Sequence, residues 1–163
     1  MAAADERVRP AIETPPAGYS YFVDFRSGLD SITGHTYVVY GRIDARGRPH
    51  ALHNADFFPE DENMGLIVGL LLPVRAGVRV SDGDSAREHV INYRRYLTAG
   101  QFAQVIGVVR RERIAARRWN LLLFNCNEFV HDIAQTIGLH TPSTLLLPHA
   151  YVAALRVLNG RQN

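Results

Sequence analysis

Residues 34–40 read GHTYVVY and carry one of the strongest strand signals in the sequence. β-Branched and aromatic side chains favour the pleated surface of a sheet. Side chains alternate between the faces of a strand, which places His35, Tyr37 and Val39 on one face and Thr36, Val38 and Tyr40 on the other. Residues 44–48 predict a hairpin turn with a positive φ at Gly47, and residues 50–56 predict the returning strand. The pattern therefore predicts an antiparallel pair of strands.

Strand signals of the same kind recur at residues 19–25, 77–80 and 90–96. The longest apolar run, residues 64–74, has about half of the roughly 20 residues that a membrane-spanning helix requires, and it contains Pro73. We therefore predict no membrane span and interpret this run as a buried strand or helix of the core.

Three helices are predicted after the last of these strands, because apolar residues recur there at the spacing of one buried stripe. The first begins with a capping box at Thr98 and ends between Arg113 and Arg118. The second covers residues 126–138, where a glycine occupies the position that a C-terminal cap prefers. The third covers residues 148–160 and begins with a proline.

The length of the chain, 163 residues, suits one ordinary globular domain. Residues 1–18 are rich in alanine, proline and charge, without apolar periodicity, and predict a mobile N-terminal arm. Residues 19–163 are the predicted folded domain. Residues 1–7 lack the apolar stretch of a signal peptide. We expect a cytoplasmic protein, or one whose targeting segment lies outside this sequence, and the oligomeric state stays open.

All 18 basic residues are arginine, and lysine is absent. Schiff-base chemistry and the phosphate-binding P-loop both require a lysine amine, so the sequence excludes them. The formal net charge of +2 is too small to indicate a nucleic-acid partner. The arginine-rich residues 110–118 are interpreted as a solvated helix face, since no recognised binding motif accompanies them.

No metal site or cofactor is predicted. The acidic residues 56–62 depart from the calcium-loop pattern, and Pro59 interrupts them. Cys126 and His131 lack the further ligands that a zinc site requires. Because Cys126 is the single cysteine, the chain forms no intramolecular disulfide.

Cys126 is predicted to lie in the first turn of the second helix, with Asn125 as N-cap and Glu128 returning a hydrogen bond to the cap. A cysteine reacts as its thiolate, which the partial positive charge and the unpaired N–H groups of a helix start stabilise. The same N–H groups could hold an oxyanion. A lone cysteine is often only a small buried hydrophobe. The polar neighbours Asn125 and Asn127 favour the reactive interpretation.

Seven histidines are candidates for the base that activates this thiol. His35 begins a well-defined strand, and Gly34 before it leaves room for a helix end to approach closely. His131 lies five residues beyond Cys126 and therefore points away from the thiol on a helix. We predict His35 as the base, although a histidine at a strand start often has a purely structural role.

Residues 125–130 (NCNEFV) resemble the Asn-Cys-Glu-His-Phe-Val motif of lecithin:retinol acyltransferase-like proteins. Those proteins belong to the permuted papain-like superfamily, which also contains cell-wall endopeptidases. The strand at residues 34–40 is similar to the family's His-Trp-Ala-Ile-Tyr strand, and it precedes the cysteine helix, the reverse of papain's order. The likeness covers roughly residues 34–138. This chain differs in having Thr36 in place of the tryptophan and Asn-Glu in place of Glu-His.

The resemblance implies an α+β, permuted papain-like fold, in which an antiparallel sheet packs against helices and the cysteine lies at a helix N-terminus. It also implies a thiol-dependent hydrolase or acyltransferase, a peptidase or amidase in the first place. Cys126 would attack a carbonyl of a peptide or lipid-like acyl substrate, and His35 would take and return the proton. A catalytically inactive binding or structural domain of the same fold is the alternative.

The family also has a third polar residue that orients the base, usually on the next strand. In this chain the hairpin register selects it from four candidates: His50, His53, Asn54 and Asp56. A change of one residue in that register exchanges the candidates, because side chains alternate between the two faces. We predict His53.

Overall fold

The computed structural model describes residues 15–29, 33–61, 64–69, 71–83, 89–115, 117–120 and 125–160. Most of the predicted arm, residues 1–14, lies outside them. In the described part the strands are β1 Tyr21–Gly28, β2 His35–Ile43, β3 Pro49–Pro59, β4 Val74–Asp82, β5 His89–Leu97 and β6 Arg117–Trp119. The helices are α1 Met64–Gly69, α2 Ala99–Ile114, α3 Cys126–Thr136 and α4 Pro148–Asn159.

The six strands form one sheet in the order β5-β1-β2-β3-β4-β6. All five neighbouring pairs are antiparallel. Apolar side chains of α2, α3 and α4 pack with one face of this sheet in a single core. The predicted α+β architecture, an antiparallel sheet packed against helices, is confirmed.

The predicted alternation along β2 is visible in the two hydrophobic clusters. Val38 and Tyr40 belong to the core that the sheet shares with the helices. Tyr37 and Val39 belong to a smaller cluster, which also contains Phe22 of β1. Since successive side chains of a strand point to opposite faces, the smaller cluster lies on the face away from the helices.

The turn between β2 and β3 follows the sequence prediction, with φ of 75° at Gly47. Asp44 stabilises the turn, because its Oδ1 accepts the backbone N–H groups of Arg46 and Arg48 at 2.9 and 2.8 Å. The register beyond the turn pairs Tyr40 with His53 and, three residues on, Tyr37 with Asp56. This register decides which β3 side chains share a face with His35.

The capping box of α2 is also confirmed. The Thr98 side chain accepts the N–H of Gln101 at 3.3 Å, and the Gln101 side chain accepts the N–H of Thr98 at 3.1 Å. The helix ends at Ile114, inside the predicted interval. Local sequence signals were sufficient here because both partners of the cap lie within one turn.

The apolar run at residues 64–74 is only partly a core segment. It contains α1 and the start of β4, yet Leu71 and Leu72 between them are 84% and 63% exposed. The interpretation of the run as buried is therefore wrong for these two leucines. None of the helices in the described ranges has the length and apolar composition that crossing a membrane would need.

Candidate active site

The helix α3 begins at Cys126, and Asn125 before it is the N-cap in an extended conformation. The Asn125 side-chain oxygen accepts the backbone N–H groups of Asn127 and Glu128 at 2.9 and 3.2 Å. These N–H groups have no partner within the helix itself, so the cap satisfies them. The predicted N-cap residue is confirmed.

The sequence predicts that the Glu128 side chain bonds back to the cap residue. In the structure its carboxylate accepts a hydrogen bond from the hydroxyl of Thr144, which the sequence did not predict. Asn127 donates from its side-chain nitrogen to the carbonyls of Thr144 and Leu146, at 3.0 and 2.7 Å. The first turn of α3 therefore holds residues 144–147, which lead into α4. Gly34 lies close to the same segment, since a Cβ built on it would be 3.6 Å from Cβ of Pro148.

Thr36 joins the start of β2 to the start of α3. Its hydroxyl donates to the Asn127 side-chain oxygen at 3.0 Å, between two buried residues. The side chain and the backbone of Thr36 also lower the pKa of the Cys126 thiol. Thr36 therefore fixes the start of α3, and with it Cys126, next to the start of β2, where His35 lies.

His35 is the first residue of β2, and its imidazole is buried between side chains of different chemistry. The Phe58 ring meets it edge-on, with ring centroids 4.9 Å apart and an angle of 86°. The Nε2 atom of His35 lies 3.6 Å from Oδ2 of Asp56. That separation exceeds an ordinary N–H···O hydrogen bond, so we describe the contact as a buried ion pair.

The pKa values of His35 and Cys126 move towards an imidazolium and a thiolate. Burial alone would lower the pKa of His35, but its interactions with Asp56 and Cys126 outweigh burial and raise the pKa to about 9. Burial would raise the pKa of the Cys126 thiol, but the hydrogen bond and charge of His35, together with the Thr36 hydrogen bonds, lower it. Each charge stabilises the other, as expected of opposite charges in a low-dielectric environment.

The carboxylate that faces His35 is itself held by an arginine. Arg79 of β4 lies opposite Asp56 of β3 in the sheet register. Its Nε donates to Oδ1 of Asp56 at 3.1 Å, and its Nη2 donates to Oδ2 at 3.2 Å. Two parallel charge-assisted bonds of this kind favour the ionised carboxylate and fix its orientation.

The structure does not bring His53 to this site, and Asp56 faces His35 instead. His53 pairs with Tyr40, on the helix side of the sheet, and its ring centroid is 5.5 Å from that of Tyr40. Its Nδ1 lies 2.9 Å from Oδ1 of Asp82. The selection of His53 is corrected for a physical reason: His53 and Asp56 are three residues apart on one strand, an odd number, so their side chains point to opposite faces.

The two remaining candidates pair with β2 residues farther from His35 than the partner of Asp56, Tyr37. Asn54 pairs with Val39. His50 pairs with Arg42, beyond an irregularity in the register after Tyr40. Sequence reasoning included Asp56 among its four candidates but missed Arg79 altogether. A cross-strand partner leaves no local signal, because the pairing of β3 with β4 depends on the folded sheet.

No match to the chain was found among protein-family models, curated proteins or solved structures. In the described ranges, no group of three or more His, Cys, Asp or Glu side chains is arranged to hold a metal ion. The resemblance at residues 34–40 and 125–130 stays a prediction.

Proposed function

We propose that this protein is a thiol-dependent hydrolase or acyltransferase of permuted papain-like fold, acting on an amide or ester bond and in the first place a peptidase or amidase. One observation carries the proposal. The Cys126 thiol, at the start of a helix, is hydrogen-bonded to a buried histidine that lowers the pKa of the thiol. The thiolate, which a lowered pKa favours, is the form that attacks carbonyl carbon.

In the proposed reaction the Cys126 sulfur attacks the substrate carbonyl, and a carbon–sulfur bond forms as the carbonyl π electrons move to oxygen. The tetrahedral intermediate collapses, the carbon–nitrogen or carbon–oxygen bond to the leaving group breaks, and His35 gives its proton to that group. Water, or another acceptor, then gives a proton to His35 and attacks the thioester. The thiolate leaves, and the enzyme returns to its starting state.

The oxyanion of the intermediate needs a hydrogen-bond donor close to the sulfur. The N–H groups of Asn127 and Glu128, expected from the sequence to be available, already donate to the Asn125 cap. We therefore assign this role to the backbone N–H of Cys126, which the partial positive charge of the helix start assists. Asp56 takes the orienting role that the sequence suggested for His53.

The first test is the formation of an acyl-enzyme. Incubation with p-nitrophenyl acetate should release one equivalent of nitrophenol in a burst and leave an acetyl group on Cys126, located by mass spectrometry of the digested protein. Cys126→Ala should lose the burst, and His131→Ala is the matched control because His131 lies on the same helix five residues away. Acetylation of the native protein no faster than that of the unfolded chain would remove the basis for the proposal.

A lipid-like acyl substrate is a second candidate, and exposed leucines favour it. Leu145, Leu146 and Leu147 are all exposed, in the segment that Asn127 holds against the first turn of α3. An apolar acyl chain would cover such side chains favourably. Replacing the acetate by a long-chain p-nitrophenyl ester separates the two candidates: a faster burst with the long chain supports a lipid substrate, and a slower one supports a peptide or amide.

The inactive binding or structural domain is the remaining alternative. Its support is the low exposure of the site, since Cys126 is 8% and His35 only 2% exposed. A substrate carbonyl would have to reach the sulfur of a residue that is itself buried. Absence of any acyl-enzyme with both esters, in a protein whose melting curve is cooperative, would favour this alternative.

A further inference from the structure

Arg79 of β4 contacts the carboxylate that faces His35. Its guanidinium donates two parallel hydrogen bonds to Asp56, at 3.1 and 3.2 Å. The Asp56 side chain is only 4% exposed, whereas that of Arg79 is 46% exposed. A buried carboxylate without a partner would tend to take up a proton or turn towards solvent. The fork of Arg79 opposes both outcomes.

The guanidinium of Arg79 also lies over the Phe58 ring, with 4.8 Å between its carbon and the ring centroid. The same Phe58 ring meets the imidazole of His35 edge-on. Arg79 therefore contacts both of the β3 side chains that contact His35, the carboxylate and the aromatic ring. Cation–π contact with the ring limits the positions that the guanidinium can occupy.

We propose that Arg79 is the positioning residue of this site, which holds Asp56 ionised and directed at Nε2 of His35. A role of Arg79 in catalysis rests on the proposed function. The effect of Arg79 on the His35 imidazole can be measured whether or not the thiol turns over a substrate. Arg79 acts through Asp56 and does not itself touch the sulfur or the base. Lysine cannot replace it, because one ammonium group cannot form the planar pair of bonds that a guanidinium forms.

The charged groups around His35 come from four elements. Asp56 belongs to β3, Arg79 to β4 and Cys126 to α3. On β1, Arg26 lies opposite Tyr37 and donates to Asp24 at 3.0 Å. Removal of the Arg79 charge alone would raise the pKa of His35, while loss of the Asp56 contact would lower it. A test must therefore keep the positive charge.

Arg79→Lys keeps the charge and removes the fork. NMR titration of the His35 ring, assigned by its absence in His35→Ala, should show a pKa lower than in the wild type by about one unit in Arg79→Lys. Asp56→Asn should lower it further, and the double variant should equal Asp56→Asn alone. Arg75→Lys is the matched control, the same substitution on the same strand at an exposed position, and should leave the pKa unchanged.

The rate of Cys126 alkylation by iodoacetamide at pH 6.5 is measured on the same variants. A lower melting temperature in Arg79→Lys with an unchanged His35 titration would overturn the proposal, because Arg79 would then only tie β4 to β3. If Arg79→Lys changed the pKa of His35 by the same amount in the wild type and in Asp56→Asn, the proposal would also be overturned, because Arg79 would then not act through Asp56. A shifted His35 titration in a protein whose thiol is unreactive would support the positioning role and contradict the proposed function. A reactive thiol together with a His35 titration that Arg79→Lys leaves unchanged would support the proposed function and contradict the positioning role.

Discussion

Two histidine–aspartate pairs link neighbouring strands of this sheet, and they differ in environment far more than in chemistry. His53 and Asp82 approach to 2.9 Å, with side chains that are 40% and 91% exposed. His35 and Asp56 are 3.6 Å apart, with side chains that are 3% and 4% exposed. The closer pair lies largely in water, where charges are screened and an ion pair stabilises little.

Burial, more than distance, determines how strongly the charges of each pair interact. In a low-dielectric environment the attraction between two charges grows severalfold over its value in water. The buried pair also has neighbours that the exposed pair does not contact: Arg79 on the carboxylate, and Cys126 on the imidazole. A histidine between a carboxylate and a thiol can exchange a proton with the thiol, while the carboxylate stays ionised and stabilises the imidazolium.

The largest expected effect comes from His35→Ala. The pKa of Cys126 should rise, because the hydrogen bond and charge of His35 that lower it are lost. Above pH 6.5, each further unit of rise in this pKa lowers the thiolate fraction at that pH about tenfold. We expect the alkylation rate by iodoacetamide, followed by mass spectrometry, to fall at least about tenfold. His53→Ala, which removes the histidine of the exposed pair, should leave the rate unchanged. Equal alkylation rates in the wild type and His35→Ala would contradict the stabilisation of the thiolate by the buried histidine.

Removal of the acid should separate the two pairs by stability. Asp56→Ala leaves His35 and the Arg79 fork without their carboxylate, and a buried pair broken in this way costs about 3 kcal/mol in the free energy of unfolding. Asp82→Ala should cause no measurable loss, since its side chain is solvated. Urea denaturation followed by fluorescence measures both variants. A loss in Asp82→Ala as large as that in Asp56→Ala would contradict the role given to burial.

A high salt concentration should affect the buried His35–Asp56 pair less than the exposed His53–Asp82 pair. The screening length falls to about 3 Å in about 1 M sodium chloride, which weakens interactions between exposed charges but hardly those between buried ones. The alkylation rate of Cys126 at pH 6.5 should therefore change by less than about twofold between low and high salt. A steep fall with salt would mean that the thiolate depends on surface charges instead of His35.

Thr36→Val should have a smaller effect than His35→Ala. The substitution removes a hydroxyl that donates to Asn127 and contributes to the lowered pKa of Cys126, but it retains the shape and the backbone N–H of residue 36. We expect the alkylation rate at pH 6.5 to fall about threefold, with the pH profile displaced to higher pH, as the net loss of one ordinary hydrogen bond implies. An unchanged profile would leave His35 as the dominant stabiliser of the thiolate and reduce the part of Thr36 to packing.

Much of the fold could be predicted because its signals are local. The strand alternation of β2, the turn at Gly47 and the capping box of α2 each depend on residues within a few positions of one another. The apolar run at residues 64–74 was harder, because periodicity does not distinguish a buried segment from one that ends on the surface. Leu71 and Leu72 lie on the surface for tertiary reasons that the run itself does not contain.

The candidate site divides along the same line. Residue order alone places Cys126 after a capping residue at a helix start and His35 at the beginning of a strand, because caps and strand patterns are properties of neighbouring residues. The position of Asp56 opposite the base, in place of His53, and its contact with Arg79 depend instead on how the strands pair. Pairing of β3 with its two neighbours sets both contacts, and a one-residue shift in either register would turn these side chains to the other face of the sheet.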